Sequence, residues 1–242
     1  MDMRISGSGQ IAPGEYENIR ISGSGRLSGH VRCASFHVSG AARGEEVTCK
    51  NDFKVSGSCG IDKDLRCESL GVSGSFSCGG NIIAQGKVHC SGSTHATGSI
   101  KCGELKASGG ISAGGDIEAE TVKVSGKINC GGLLNAEEIN ICSSGSMEIG
   151  TIGGSKVVIY LDKGTKRIER LPLLSSLINF LGGSVRVNNA IEADTIALEN
   201  VKTPRVSGRI VAIGEDCEID LVQYSEQIEI SPKAKIGRTE KI

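Results

Sequence analysis

The chain has 242 residues, no Trp, 3% aromatic residues, 35 Gly against 4 Pro, and a net charge of −1. With 38% hydrophobic residues and almost no net charge, it is excluded from the disordered, collagen-like and strongly basic nucleic-acid-binding classes. The opening MDMRISGSGQ has no apolar signal region, and no run reaches the ~18–20 apolar residues of a membrane span. A cytoplasmic location is therefore expected, and the ten Cys need an explanation other than disulfides.

The first predicted element is a corner. MRISGSGQI at 3–11 returns as IRISGSGRL at 19–27. The residue before each such pair falls at Ile5, Ile21, Val38, Val55, Val72, Cys90, Ala107 and Val124, and Ile141 heads the variant ICSSG. These positions keep a spacing of about 17 residues, a register that no flexible linker holds. Between corners, apolar residues alternate over short runs, as in Val122-x-Val124 and Ile139-x-Ile141, which is strand periodicity. Three runs fill each repeat. The pattern predicts an all-β parallel β-helix, a solenoid of about 17-residue rungs that bury their inward faces only against neighbouring rungs. Gly at the corner is expected to supply φ > 0, and Ser a hydroxyl bond to nearby backbone.

Within the repeats, Cys33, Cys67, Cys102, Ala119 and Ala136 stand five residues before the corner, and Cys49 stands six before Val55. An inward ladder of small residues follows, in which free Cys acts as a small hydrophobe. No two Cys are spaced Cys-x-x-Cys, so a zinc or redox site has little support. The Gly-Ser-Gly pairs do not complete a dinucleotide fingerprint. Gly110-Ile111-Ser112-Ala113-Gly114 has the form of a nucleophile elbow without the strand-turn-helix context that chemistry requires. His30, His37, His89 and His95 are read as solvent-facing. Neither the six-residue repeat of solenoid acyltransferases nor the clustered acids or bases of polysaccharide lyases is present. The expectation is a non-enzyme with no catalytic, cofactor-binding or metal-ligating residues.

Next in chain order, KVVIYLDKG at 156–164 is predicted to be an edge or final strand, closing a first region of repeats over 1–162. Residues 163–183 are foreign to the repeat. There the polar positions 172, 175, 176 and 179 leave a broad apolar face, predicting one short helix with Pro172 in its first turn and Gly182-Gly183 as its stop. Lys166, Arg167 and Arg170 precede Leu171, Leu174, Leu177, Ile178, Phe180 and Leu181 as a candidate contact with an anionic membrane or a protein partner. Packing of the same face against the solenoid is the other reading. Over 184–242 the solenoid is expected to resume through Ile219, Tyr224, Ile228, Ile230 and Ile236, with a further Ser-Gly corner in RVSGRI at 205–210.

The repeated VSG rungs, together with IEADTIALENVKTPRVSGRIVAIGEDCEIDLVQYSEQIEISPKAKI at 191–236, resemble the bactofilins, polymer-forming bacterial cytoskeletal proteins, in their longer Gram-positive type. The resemblance implies a right-handed β-helix that polymerises end to end without nucleotide, often at the inner membrane surface, and positions envelope or motility machinery. No nucleic-acid partner is implied. The candidate polymer interface is Ile5, Ile11, Ile19 and Ile21 at one end and Ile228, Ile230 and Ile236 at the other, because an unpaired rung templates another copy. Two other function classes remain open: a solenoid that recruits a protein or membrane partner without polymerising, and a solenoid enzyme.

Overall fold

The computed structural model describes residues 1–161 and 184–242. Their strands stack in parallel as a solenoid of about 13 turns, about 17 residues apart, with no helix among the described residues. Leu65–Cys67, Ser69–Val72 and Ser75–Cys78 form the three sides of one turn. Alternation along each strand sends two side chains inward per side, here Leu65 and Cys67, Leu70 and Val72, Phe76 and Cys78, all buried. Each then meets its counterpart in the next turn: Leu65 lies between Val47 and Ile82, and Leu70 between Phe53 and Val88. Burying each such Val, Leu, Ile or Phe contributes about 1.5–3 kcal/mol. Three of the four Phe meet in the core. Phe36 stacks on Phe53 at 4.8 Å, nearly parallel, and Phe76 tilts onto Phe53 from the third side at 5.5 Å.

The expected ladder of small residues is present. Cys33 pairs with Cys49, and the next turns align Cys67 with Ala84. Cys102 follows in the same column, but Cys59, Cys78, Cys90 and Cys130 do not share it. Cys90 is on the second side, in register with Val72 and Ala107, and Cys59, Cys78 and Cys130 are on the third. Any inward site that must be small accepts Cys, so one column does not collect them all.

The Ser-Gly pairs turn the corner between the second and third sides, but not through positive φ. Positive φ at Gly occurs only at Gly14 and Gly29 among the described residues. The corner glycines are required by close stacking instead. A Cβ on Gly23 would lie 2.0 Å from the Gly7 carbonyl oxygen, and one on Gly74 or Gly126 equally close to that of Gly57 or Gly109. Each corner also drives two donors onto one acceptor: Val55 O receives Ser73 N at 2.8 Å and Gly74 N at 3.3 Å. The expected Ser hydroxyl bond forms at Ser22, whose Oγ donates to Ile5 O at 3.4 Å.

A second corner ladder, between the third and first sides, escaped the sequence reading. Asp64 Oδ1 accepts Asn81 N at 2.8 Å, and Asn81 Oδ1 accepts Ser99 N at 2.9 Å. Ser99 Oγ then accepts Asp116 N at 3.0 Å, and Asp116 Oδ1 accepts Leu133 N at 2.8 Å. Its sequence signal is the Gly before Asn81, Ser99 and Asp116, namely Gly80, Gly98 and Gly115, where a Cβ would strike the side chain of the turn below.

Two expectations for the later chain are corrected. The strand Met147–Leu161 is paired on both edges, with Lys127–Ser143 and with Ala190–Leu198, so 156–161 is interior and neither an edge nor the last strand. Val206-Ser207-Gly208 does not turn the corner of the second and third sides as the earlier Ser-Gly pairs do, because it ends the first side, in register with Ile191-Glu192-Ala193, and the second side begins at Ile210 after a register shift. The late corners are turned by Asn200 and Asp216, both at φ 56, a left-handed conformation that Asn and Asp tolerate. The Ser-Gly period therefore fades where another corner chemistry replaces it.

Residues 163–183, with the predicted helix, lie outside the described residues. Ser143 is in register with Leu161, and Met147 with Val185, so the turns before and after this segment stack directly. Replacing 162–183 by Ser-Gly, the pair that turns the preceding corner at 144–145, is expected to leave the solenoid intact. Circular dichroism and thermal unfolding should match the parent within a few degrees, which is the shift that about 1 kcal/mol produces in a chain of this size. Loss of the cooperative transition would refute the register.

Candidate functional site

The outward residues of a solenoid side form columns with a rise of about 4.8 Å per turn. On most of this surface, cations alternate with carboxylates of the adjacent turn. Lys101 pairs with Glu118 at 2.7 Å, and Glu218 is held between Lys202 at 2.6 Å and Lys235 at 3.1 Å. Such exposed pairs stabilise little, about 0–1 kcal/mol each, but they keep the surface neutral.

One column departs from this rule. At the centre of the second side, Arg4 stacks on Arg20, Arg20 on His37, and His37 on Lys54. After Gly71 the column continues through His89, Lys106 and Lys123 before ending at Asn140. Like charges directly opposed across strands are destabilising. Lys54 pairs only with Asp52 of its own strand, at 2.9 Å, and Arg4, Arg20, Lys106 and Lys123 form no ion pair among the described residues. Along one flank run the exposed corner serines, and Arg4, Ser6, Arg20, Ser22, His37 and Ser39 line a shallow depression over the first turns. His37 Nε2 is buried there without a hydrogen-bond partner. Burial, and then the charges of Lys54 and Arg20, hold its pKa below the ordinary histidine value.

Of the other histidines, His89 and His95 are exposed and His30 is half-buried. His30 Nε2 meets Thr48 Oγ1 at 2.9 Å, and His95 Nδ1 meets Ser112 Oγ at 2.9 Å. Ser112 thus has a histidine neighbour, but it sits in mid-strand on an open face, and no carboxylate hydrogen-bonds the His95 ring among the described residues. Nor do three or more His, Cys, Asp or Glu converge as a metal-binding set among those residues.

Nine of the ten cysteines are buried and Cys142 is half-buried. Burial pushes Cys59, Cys67 and Cys102 up to about 12 and Cys130 up to about 11, so these thiols keep their protons. A thiol reagent at pH 8 is expected to titrate at most Cys142 in the native protein, and all ten thiols after unfolding. The unfolded thiols ionise near 9.0, below the folded ones, so the unfolded state binds fewer protons above that pH. Stability should be unaffected by these groups below about pH 9 and fall as pH rises from 9 toward 12. A urea midpoint that stays level over that interval would contradict the assignment.

The sequence-predicted end residues divide into two kinds. Ile5 and Ile11 lie in the first turn, but both are buried. Ile5 folds inward over Gly9, whose Cβ position lies 3.3 Å from its Cδ1. Ile19 and Ile21 belong to the second turn, between Met3 and Ile5 on one side and Phe36 and Val38 on the other, and so form interior core. At the opposite end the inward residues become progressively uncovered. Val222 is fully buried, Ile228 and Ile236 are half-buried, and Ile230 is 37% exposed. Tyr224 and Ala234 complete this apolar end. The strands at the two ends, Met3–Ile5, Ser8–Ile11 and Lys235–Lys241, each pair with a single neighbouring strand. Lys166, Arg167, Arg170, Leu171, Leu174, Leu177, Ile178, Phe180 and Leu181, the candidate membrane or partner contact, lie outside the described residues. Among those that are described, no helix is long and apolar enough to cross a membrane.

No protein-family model and no solved structure matches the chain. Among curated proteins, the uncharacterised YhbE of Bacillus subtilis (strain 168) is 30% identical over 103 residues, which cover 38% of this chain and 44% of YhbE. The chain thus matches less than half of that relative's length.

Proposed function

We propose that the protein is a non-enzymatic scaffold whose copies stack end to end through their terminal rungs into filaments, without nucleotide. The observation that carries this reading is the pair of solenoid ends. Each presents a half-paired strand edge with partly exposed apolar residues, Met3 at one end and Ile228, Ile230 and Ile236 at the other. Such an edge is a template for another strand. Gly7 adds support. The corner glycines from Gly23 to Gly126 lie against a carbonyl of the preceding turn, whereas a Cβ on Gly7, as on Gly145, would meet nothing within 4 Å. A second copy stacked in register would place a carbonyl there. The resemblance to bactofilins points the same way, toward a cytoplasmic polymer that positions other machinery at the membrane.

Negative-stain microscopy and sedimentation of purified protein, in buffer free of nucleotide, test the proposal. Filaments or end-to-end oligomers are expected, and a monomer at every concentration would overturn it. Attachment to membrane through 166–181 is part of the same proposal. The Ser-Gly replacement of 162–183 should still polymerise but no longer sediment with anionic vesicles.

A further inference from the structure

We propose that the basic column from Arg4 to Lys123 is a binding track for a linear phosphate- or phosphodiester-repeat polymer that carries no bases. The column is one cation wide and spans eight turns, roughly 34 Å at the strand spacing. Its charges repel one another, and the protein supplies cross-turn carboxylates elsewhere but not here. An extended polyanion laid along the axis relieves that repulsion at every turn and releases its own counterions. The serine hydroxyls on the flank can donate to phosphate oxygens, and Ser6, Ser22 and Ser39 line the depression together with Arg4 and Arg20.

Geometry argues against the two other polyanionic partners. A planar anionic bilayer meets a face and not a line, and on the other flank of the column it would press against Asp2, Asp52 and Glu104. Single-stranded nucleic acid is held chiefly by large aromatic side chains on which bases stack, and no outward position of this column is Phe, Tyr or Trp. The track is independent of end-to-end stacking, since its residues lie on a side of the solenoid.

The test compares two variants of equal net charge in the full chain. One carries R20Q, K54Q, K106Q and K123Q; the other carries R43Q, K101Q, K202Q and K235Q, on the remaining sides. All eight residues have exposed side chains, and circular dichroism should show both variants folded. Long-chain inorganic polyphosphate is the probe, with oligo(dT) and anionic vesicles as comparison ligands. The parent should bind polyphosphate with an affinity that falls as salt rises, the column variant should lose at least about tenfold, and the control should stay within about twofold. The histidine signal of His37 should titrate at higher pH once polyphosphate is bound, because phosphate opposes the Arg20 and Lys54 charges that now depress it, alongside the existing pull of Asp52. Equal losses in the two variants would overturn the proposal. So would a parent that ignores polyphosphate at low salt, or one that prefers oligo(dT) or vesicles.

Discussion

Gly74→Ala is expected to be strongly damaging, as is the same change at the other tightly stacked corner glycines. The added Cβ would sit 2.0 Å from the Gly57 carbonyl oxygen and 2.5 Å from that of Ser56, both backbone atoms that no rotamer change can move aside. Those carbonyls are held in turn by the ladder, since Gly57 O accepts Ser75 N at 2.9 Å. Relief requires separating two turns in mid-solenoid, and the cost should be about 3–5 kcal/mol, at the upper end of what overpacking produces. A total stability of about 5–15 kcal/mol makes that loss visible as a large drop in urea midpoint or as insoluble expression. Gly110→Ala is the matched control, because a Cβ there meets nothing within 4 Å. It should change stability by no more than about 0.5 kcal/mol. Equal stability of the two variants would remove the close-stacking account of the Ser-Gly corner.

Gly7→Ala should separate folding from assembly. Nothing in the structure opposes a Cβ at Gly7, so the isolated protein is expected to unfold at the parent's temperature. In a filament continued in register, the neighbouring copy would bring backbone against Gly7 as Gly7 itself lies against Gly23, and the variant should stay short or monomeric in microscopy. Unchanged filaments would show that this end does not stack in register. Charged substitutions at the apolar end residues are less informative. Ile21→Asp places a carboxylate inside the second turn, where Ile21 is 1% exposed, and is expected to unfold that end whether or not it assembles. Ile230→Asp, on a residue already partly in water, is the cleaner probe of the other end.

Much of the architecture was legible because each rung repeats the same local chemistry. Alternation in Val122-x-Val124 marks a strand in any context, and the spacing of Ile5, Ile21 and Val38 places three of them at one height of successive turns. Val-Ser-Gly at 206–208 shows that the three-residue pattern has more than one use. Gly208 ends the first side, where a Cβ would fall 2.6 Å from Ala193 O, and the corner between the second and third sides of that turn is carried by Asp216 at positive φ. The strand at 156–161 was taken as terminal because the foreign segment after it breaks the pattern along the chain. In space the pattern is unbroken, with Ile159 in register with Leu198.

Strand character and the inward or outward sense of each residue were therefore determined by the sequence alone, since each depends on neighbours one to four positions away, and so was the period, because the corner pair itself recurs. The tertiary structure decided what each corner glycine is for, which side chain caps which backbone N–H, and that seven basic residues scattered over 120 positions form one line. These depend on the residue one turn away, about 17 positions along the chain yet only about 4.8 Å away in space. A shift of one residue in a single rung changes which side chains meet there.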